Sequence, residues 1–335
     1  MLELNDMQSL KGSRVLVTGG AGHIGSHVVD AILAEGASRV VVYDNFAEGN
    51  LRNLKSALET DRVDVVTRDI RDYEDLEASM KGCDFVFHTA SIMLLEARVF
   101  PRKAIETNIT GTFNVLQAAA KHGVHKVVFS STGSVYGEPL YLPMDENHPY
   151  NNETIYGATK IAGEQLCRNF QREHKLAFAA LRYFNVYGTR QHIKGAYAQI
   201  VPRWYDIMTN GQPITIFGNG SQTMDMTYVE DVARANVLAA KADVSADFFN
   251  VGTGNSTSVK QVFDYLKELV SYDLQPIYQE CDVNLVKRRQ CSTEKAERVL
   301  GFKAQVSVPE GLEKYVEWRE QIAKSGRFQV AASVR

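Results

Sequence analysis

The segment YGATK sets Tyr156 and Lys160 four residues apart, on one face of the chain if that stretch is helical. A phenol beside an ammonium is an acid-base device, because the cation stabilises the phenolate and lets the hydroxyl exchange its proton nearer neutral pH. With 15 tyrosines in the chain, about one such spacing arises by chance. Location gives this one its weight. The preceding strand-like segment ends in SSTGSVYG, which gathers Ser130, Ser131, Thr132 and Ser134 next to the pair. Thr132 is then placed to orient a substrate hydroxyl whose proton Tyr156 removes. The plain alternative is a surface helix with a half-buried tyrosine and a solvated lysine.

A second chemical feature lies near the start. VLVTGGAGHIGSHVVDAIL holds two overlapping glycine patterns, Gly19, Gly22 and Gly25 as GxxGxxG and Gly20, Gly22 and Gly25 as GxGxxG. Glycines allow a tight strand-to-helix turn and let a pyrophosphate approach backbone amides at the positive end of the helix. The next strand-like run ends in Asp44, roughly 20 residues on, where a carboxylate can bind an adenosine ribose. With no arginine directly beside Asp44, the pattern favours NAD over NADP, since a 2′-phosphate would be repelled there. An oxidised nicotinamide would add its positive field to that of Lys160 and lower the Tyr156 phenol further.

These residues need a scaffold, and the chain supplies one. Short β-branched runs alternate with helical segments: RVLVTG, HIGSHVVDAILAEG, RVVVYD, VDVVTRD, DYEDLEASMKG, DFVFHTA, PRKAIETNITGTFNVLQAAAKHG and KVVFSS. That rhythm is the signature of parallel βαβ units, and near-continuous apolar strands imply a sheet covered on both faces. The fold class expected is α/β, a doubly wound parallel sheet over residues 12–185 followed by a smaller α/β part over 186–320. The chain is expected to return partly to the first unit around 226–255, and 321–335 reads as a tail. Helices are expected around VPRWYDIMTNG, VEDVARANVLAAKA, VKQVFDYLKELV and EKAERVLG, and a strand at ITIFG.

Composition narrows the class of partner. The chain has 335 residues, 44% hydrophobic, with 37 Lys plus Arg against 40 Asp plus Glu. The net charge of -3 gives no electrostatic reason to expect nucleic acid or an anionic membrane as partner. No apolar run approaches the roughly 18 residues of a membrane helix, and the first residues lack a basic start and an apolar stretch, so a cytoplasmic protein is expected. Cys83, Cys167, Cys281 and Cys291 show no CxxC spacing, and the one HxxxH pair, His23 and His27, falls inside the glycine-rich turn and its helix, so neither a disulfide nor a metal is read.

Taken together, TGGAGHIG, Asp44, HTAS at Ser91, NITGTFNVL, SSTGSVYG, YGATKIAGE and RYFNVYG resemble the extended short-chain dehydrogenase/reductase family, and within it the sugar-nucleotide epimerases typified by UDP-glucose 4-epimerase. The resemblance runs from about residue 14 to 302. It implies a Rossmann-type NAD-binding domain, a small substrate domain and a catalytic Thr132, Tyr156 and Lys160. It places Gly19, Gly22, His23, Ile24, Gly25, Asp44, Asn45, Asp69, Ile70, His88, Thr89, Ala90, Asn108, Ser130, Tyr156, Lys160 and Tyr183 around the cofactor. His88 as a satisfied strand-end histidine and Asn108 as a helix-interior residue are the plain alternatives. For the substrate, it implies Ser91, Thr132, Gly133, Ser134, Asn185, Arg190, Arg203, Phe217, Arg288 and Arg289, with Phe217 alternatively a core residue.

The dehydratases of that family follow the catalytic threonine with Asp and Glu, and its decarboxylases carry a Glu at the second position. Here Gly133 and Ser134 stand there, which leaves epimerisation of a nucleotide-activated hexose or hexuronate, or a reductase that exchanges its cofactor each turn. A third class is a cofactor-sensing binding protein. The family's two diphosphate arginines fall on Met224 and on the stretch Asp282, Val283, Asn284 and Leu285. Replacement cations are Arg190, Arg203 and the run Lys287, Arg288 and Arg289. Arg289 also falls beside the C2 or C6 substituent of the hexose, where a cation would suit a uronate. PRKAIETNITGTFNVLQAAAKHG and YGATKIAGEQLCRNFQREH resemble the helices that pair across a dyad, which implies a homodimer built on a four-helix bundle.

Overall fold

The computed structural model describes residues 9–192, 199–280 and 288–324. Six strands alternate with helices in chain order. They are β1 (Arg14–Thr18), α1 (His23–Ala34), β2 (Arg39–Asp44), α2 (Lys55–Leu58), β3 (Val63–Thr67), α3 (Tyr73–Met80) and β4 (Phe85–His88). Next come α4 (Leu94–Val99), α5 (Pro101–Ile105), α6 (Thr112–Lys121), β5 (Lys126–Thr132), α7 (Ile155–His174) and β6 (Ala177–Tyr183). A seventh sheet strand, Ala246–Val251, pairs with β6, so the order is Ala246–Val251, β6, β5, β4, β1, β2, β3, and every pair is parallel.

Both faces of this sheet are buried because alternate strand residues point to opposite sides. Val15, Val17, Val40, Val42, Phe87 and Leu181 pack with α1 and the helix Val229–Lys241. Leu16, Val41, Val86, Val127, Phe129 and Ala180 pack with α3, α6 and α7. A smaller cluster of Val135, Tyr136, Met144, Phe184 and Cys291 lies under the turn that follows β5.

The segment expected as one helix over PRKAIETNITGTFNVLQAAAKHG is interrupted. Between α5 and α6, Glu106–Gly111 is π-helical, a widened turn often found at functional sites. Gly111 permits it to pass close to Ile70, whose side chain a Cβ at that glycine would strike.

Beyond β6 the chain forms two-stranded pieces: Val186–Tyr187 with Thr227–Tyr228, Thr223–Met224 with Thr257–Ser258, and Thr215–Phe217 with Ile277–Gln279. Helices Ile200–Thr209, Val229–Lys241, Val259–Leu269 and Glu294–Leu300 lie where the sequence places them, and a longer one, Val308–Lys324, closes the described chain. The tail beyond residue 324 falls outside the described residues, as do Cys281, Asp282, Val283, Asn284, Leu285 and Lys287. Among the described residues, Cys83, Cys167 and Cys291 are free thiols, no His/Cys/Asp/Glu group is arranged to hold a metal, and no helix is long and apolar enough to cross a membrane.

Candidate active site

At the carboxyl edge of the sheet a cavity opens between β1, β2 and β4, and Gly19, Gly22, His23, Ile24, Gly25, Asp44, Asn45, Asp69, Ile70, Thr89, Ala90 and Ser91 line it. The glycines are there for space. Gly19 has φ +68° and a Cβ on it would meet the Ala90 nitrogen, while a Cβ on Gly25 would collide with the Gly19 carbonyl. Helix α1 begins at His23 with Gly22 as N-cap and no side chain bonding its first amides, the arrangement that receives an anion. Asp44 closes the second strand, its carboxylate accepting from Ala21 N at 2.9 Å and Phe46 N at 2.7 Å, and burial raises its pKa.

Two polar atoms at this cradle lack partners among the described residues. His23 Nε2 and Arg190 Nη1 are buried without a hydrogen bond, although Arg190 Nη2 donates to Asp30 Oδ2 at 2.6 Å. Buried donors of this kind carry a cost that a ligand's oxygens relieve. The glycine cradle, the Asp44 carboxylate at the end of β2 and these orphaned nitrogens together fit a dinucleotide.

Several residues sit elsewhere than the sequence reading expects. Arg190, expected at the substrate, lines the cofactor cavity instead, because the turn after β6 crosses to the start of α1 and its ion pair with Asp30 holds it there. His88 is not at the cavity surface. It is 1% exposed, bonding Thr18 Oγ1 at 2.7 Å and Thr112 Oγ1 at 2.9 Å, so the satisfied strand-end histidine is the reading that fits. Asn108 is also buried, within the π turn, and its amide holds both the nitrogen and the carbonyl of Ile92 while bonding Thr159 at 3.0 Å. It braces the cavity wall from behind. Ser130 and Tyr183 are buried as a bonded pair, Oγ to OH at 3.0 Å, with Asn236 completing the chain of hydroxyls.

Thr132, Tyr156 and Lys160 are brought together. Thr132 ends β5 and caps the short 3₁₀ turn Gly133–Tyr136, accepting from Ser134 N at 3.1 Å. Thr154 caps α7, so that Tyr156 and Lys160 lie on its first turns facing β5. Lys160 Nζ donates to the Ser130 carbonyl at 2.9 Å and lies 5.9 Å from the Tyr156 ring centre.

The electrostatics depart from the expected lowering of the phenol. Burial pushes Tyr156 up to about 12, opposed only by a hydrogen bond with Thr132. Burial also pulls Lys160 down to about 7, with the neighbouring Cys167 and Glu164 opposing it. Burial thus makes Lys160 easier to discharge than an exposed lysine, and it does not draw the phenol down by itself.

The remaining substrate-side residues spread over the second part. Asn185 Nδ2 donates to the Asp225 carbonyl at 3.0 Å, from a backbone with φ 34°. Phe217 is not core: it is 44% exposed on the strand Thr215–Phe217. Arg203 is exposed on the helix Ile200–Thr209. Arg288 bridges to Thr223, and Arg289 N donates to the Thr223 carbonyl at 3.1 Å, which lays both arginines beside Met224. Burial lowers the Arg289 pKa, opposed by Glu138.

The sequence reading missed Glu96, Lys103 and Thr107 on the cavity wall: Glu96 lies in LLEARV, a helix it did not expect, and Lys103 and Thr107 lie in a helical segment it assigned to assembly rather than to the site. It also missed the ion pair of Glu164 with Arg182 behind the site, two residues with no spacing rule between them.

Fold and site define the class as a dinucleotide-binding α/β enzyme of the extended short-chain dehydrogenase/reductase type. The chain belongs to the NAD dependent epimerase/dehydratase family, whose model matches residues 15–252. It is 38% identical to a putative UDP-glucose 4-epimerase of Methanocaldococcus jannaschii over 91% of this chain and 97% of that protein. Identity to the UDP-glucose 4-epimerase of Mycolicibacterium smegmatis is 34%, over 91% and 98% of the two chains. Among solved structures, the UDP-glucose 4-epimerase of Thermotoga maritima with UDP-glucose superposes with a TM-score of 0.87 at 36% identity, covering 92% of this chain and 99% of that one.

Proposed function

We propose that this protein inverts the C4 configuration of a nucleotide-activated hexose or hexuronate through a transient 4-keto sugar. The observation that carries the reading is the buried set of Thr132, Tyr156 and Lys160, followed by Gly133 and Ser134, where neither side chain can act as the acid or base of an elimination. The activities named for the relatives support it. NAD, which the turn Gly19–Gly25 and Asp44 would hold, would supply reversible hydride transfer at the carbinol carbon with no net oxidation. Tyr156 takes the C4 hydroxyl proton as hydride leaves and gives it back on return. Thr132 orients that hydroxyl, and Lys160 in its ammonium form lowers the cost of the phenolate. Ser91 and Ser134 are assigned to the hexose hydroxyls, Asn185 to the sugar diphosphate and the Phe217 strand to the base. Arg288 and Arg289, laid beside the uncharged Met224, are assigned to the anionic part of the substrate.

The test is to incubate the protein as purified, with no cofactor added, with UDP-glucose, UDP-N-acetylglucosamine, UDP-glucuronate and the thymidine and guanosine sugars, following the anomeric protons by NMR. New anomeric signals with no net oxidation are expected. Silence across the panel, with NAD bound, would sink the reading. Met224 favours one second reading, a reductase of a related substrate without the diphosphate, which exchange of free NADH during turnover would reveal. We also propose a homodimer through α5, α6 and α7, where Phe100, Ile105, Phe113 and Ile155 stand exposed.

A further inference from the structure

Three consecutive residues of β5 each hold one side chain of α7. The Ser130 carbonyl accepts from Lys160 Nζ, Ser131 Oγ donates to Glu164 Oε1 at 2.6 Å, and the Thr132 hydroxyl faces the Tyr156 phenol closely enough to oppose the rise in its pKa. Tyr156, Lys160 and Glu164 are spaced by four, so they form one stripe along the helix. The outer two contacts touch the reaction; the middle one has no assigned role.

Glu164 is fully buried and every lone-pair direction is used. Oε1 accepts from Ser131 and from Arg182 Nε at 2.9 Å; Oε2 accepts from Tyr150 OH at 2.6 Å and Arg182 Nη2 at 2.7 Å. Arg182 stands directly across the sheet from Ser131, and its other nitrogen reaches Tyr136 OH at 2.8 Å and the Glu146 carbonyl at 3.3 Å. Replacing a buried ion pair by apolar residues of similar volume is often neutral or stabilising, so stability alone does not explain this one.

The groups around Lys160 are few. Tyr156, Glu164 and Cys167 face it from α7, Phe129 and the Ser130 carbonyl from β5, and His88 from β4. Burial keeps the Cys167 thiol protonated and His88 neutral, which leaves Glu164 as the one anion among these groups.

We propose that Glu164, locked by Arg182, is a positioning residue that sets the register of α7 on β5 and holds Lys160 in its ammonium form, so that it governs the pH at which Tyr156 takes a proton. This rests on the role given to Tyr156 and Lys160 above.

Glu164→Gln alone would strand a buried guanidinium and endanger folding. Two other variants decide the matter. In the double variant Glu164→Gln/Arg182→Met both charges leave together. Its kcat at pH 7 is expected to fall about tenfold with KM within about twofold, and the acidic limb of the kcat profile to move up by about one pH unit. Ser131→Ala removes a single hydroxyl and keeps the charge. It is expected to fold, to lower kcat about threefold and to leave the limb in place. A merely structural pair would lower the melting temperature of either variant without moving the limb. An unmoved limb in the double variant, or a parental kcat in Ser131→Ala, overturns the proposal, and Ser131→Ala decides alone if the double variant does not fold.

A readout without substrate separates this proposal from the functional one. The titration of Tyr156, taken as the tyrosinate absorbance of the NAD-bound protein less that of Tyr156→Phe, is expected at higher pH in the double variant. A parent protein silent on every nucleotide sugar would sink the functional reading and leave this titration to decide the role of Glu164.

Discussion

Tyr156 holds its proton tightly in the protein by itself, at about 12, because the phenol is buried and burial makes the nearby lysine easier to discharge. In the mechanism proposed above, proton transfer to Tyr156 then waits on added positive charge, and the acid-base chemistry is coupled to the presence of the oxidised cofactor. Tyr156→Phe is expected to cut kcat by about 10²- to 10⁴-fold with bound NAD unchanged, as read by turnover and by the absorbance of released cofactor. Parental turnover in that variant would place the proton transfer elsewhere, or support the cofactor-sensing alternative. At this scale the sequence was a good guide where chemistry depends on local spacing. The glycines, Asp44 and the Tyr-Lys pair needed only their neighbours to be recognised. Arg190 was not legible, since its place depends on a turn after β6 meeting Asp30, 160 residues earlier in the chain.

Among the elements, the strands from β1 to β5 could be read, most of them as the continuous apolar runs of strands buried on both faces, whereas β6, AFAALRY, was not singled out. The seventh, ADFFNV, has only its last residues fully buried, and it follows a helix with no turn signal strong enough to separate it. The π turn was invisible for a different reason: Glu106 to Gly111 continues a helical pattern, and what marks it out is tertiary, the bonds of Asn108 to Ile92 and the close approach of Gly111 to Ile70. That makes Asn108 the brace of the wall carrying Ile92. Asn108→Ala would leave the nitrogen and carbonyl of Ile92 and the Thr159 hydroxyl each short of a partner, and a loss of about 2 kcal/mol or more is expected. Urea unfolding measures it, and a loss below about 0.5 kcal/mol would mean that the turn is held by other contacts.

For the molecule as a whole, His23, His27 and His88 share one property. Burial lowers the pKa of each to about 3, with positive charge from Arg190 or Lys160 adding to it. The folded state refuses protons that the unfolded chain accepts near 6.5, so stability is complete above that pH and declines as pH falls from there toward 3. Between pH 6.5 and 5, below which carboxylates join in, each histidine contributes a slope on the order of 1 kcal/mol per pH unit. Urea midpoints that stay level across that window would refute the assignment. Assembly is tested separately. A dimer is expected in sedimentation at micromolar concentration, and Phe113→Asp is expected to yield a 37.4 kDa species. A parent that sediments only at that mass would remove the dimer proposal.

The seventh strand bears on how such a chain is made. During synthesis the first 185 residues leave the ribosome with β6 as an open edge and with the α1 face of the sheet uncovered over β5 and β6, because the helix Val229–Lys241 that packs there and the strand Ala246–Val251 that closes the sheet come later. The sheet cannot be finished until residue 251 has emerged. The nascent nucleotide-binding half must therefore wait, apolar and adhesive, while more than sixty further residues are translated, and a ribosome pausing in that interval would present a natural substrate to a holding chaperone.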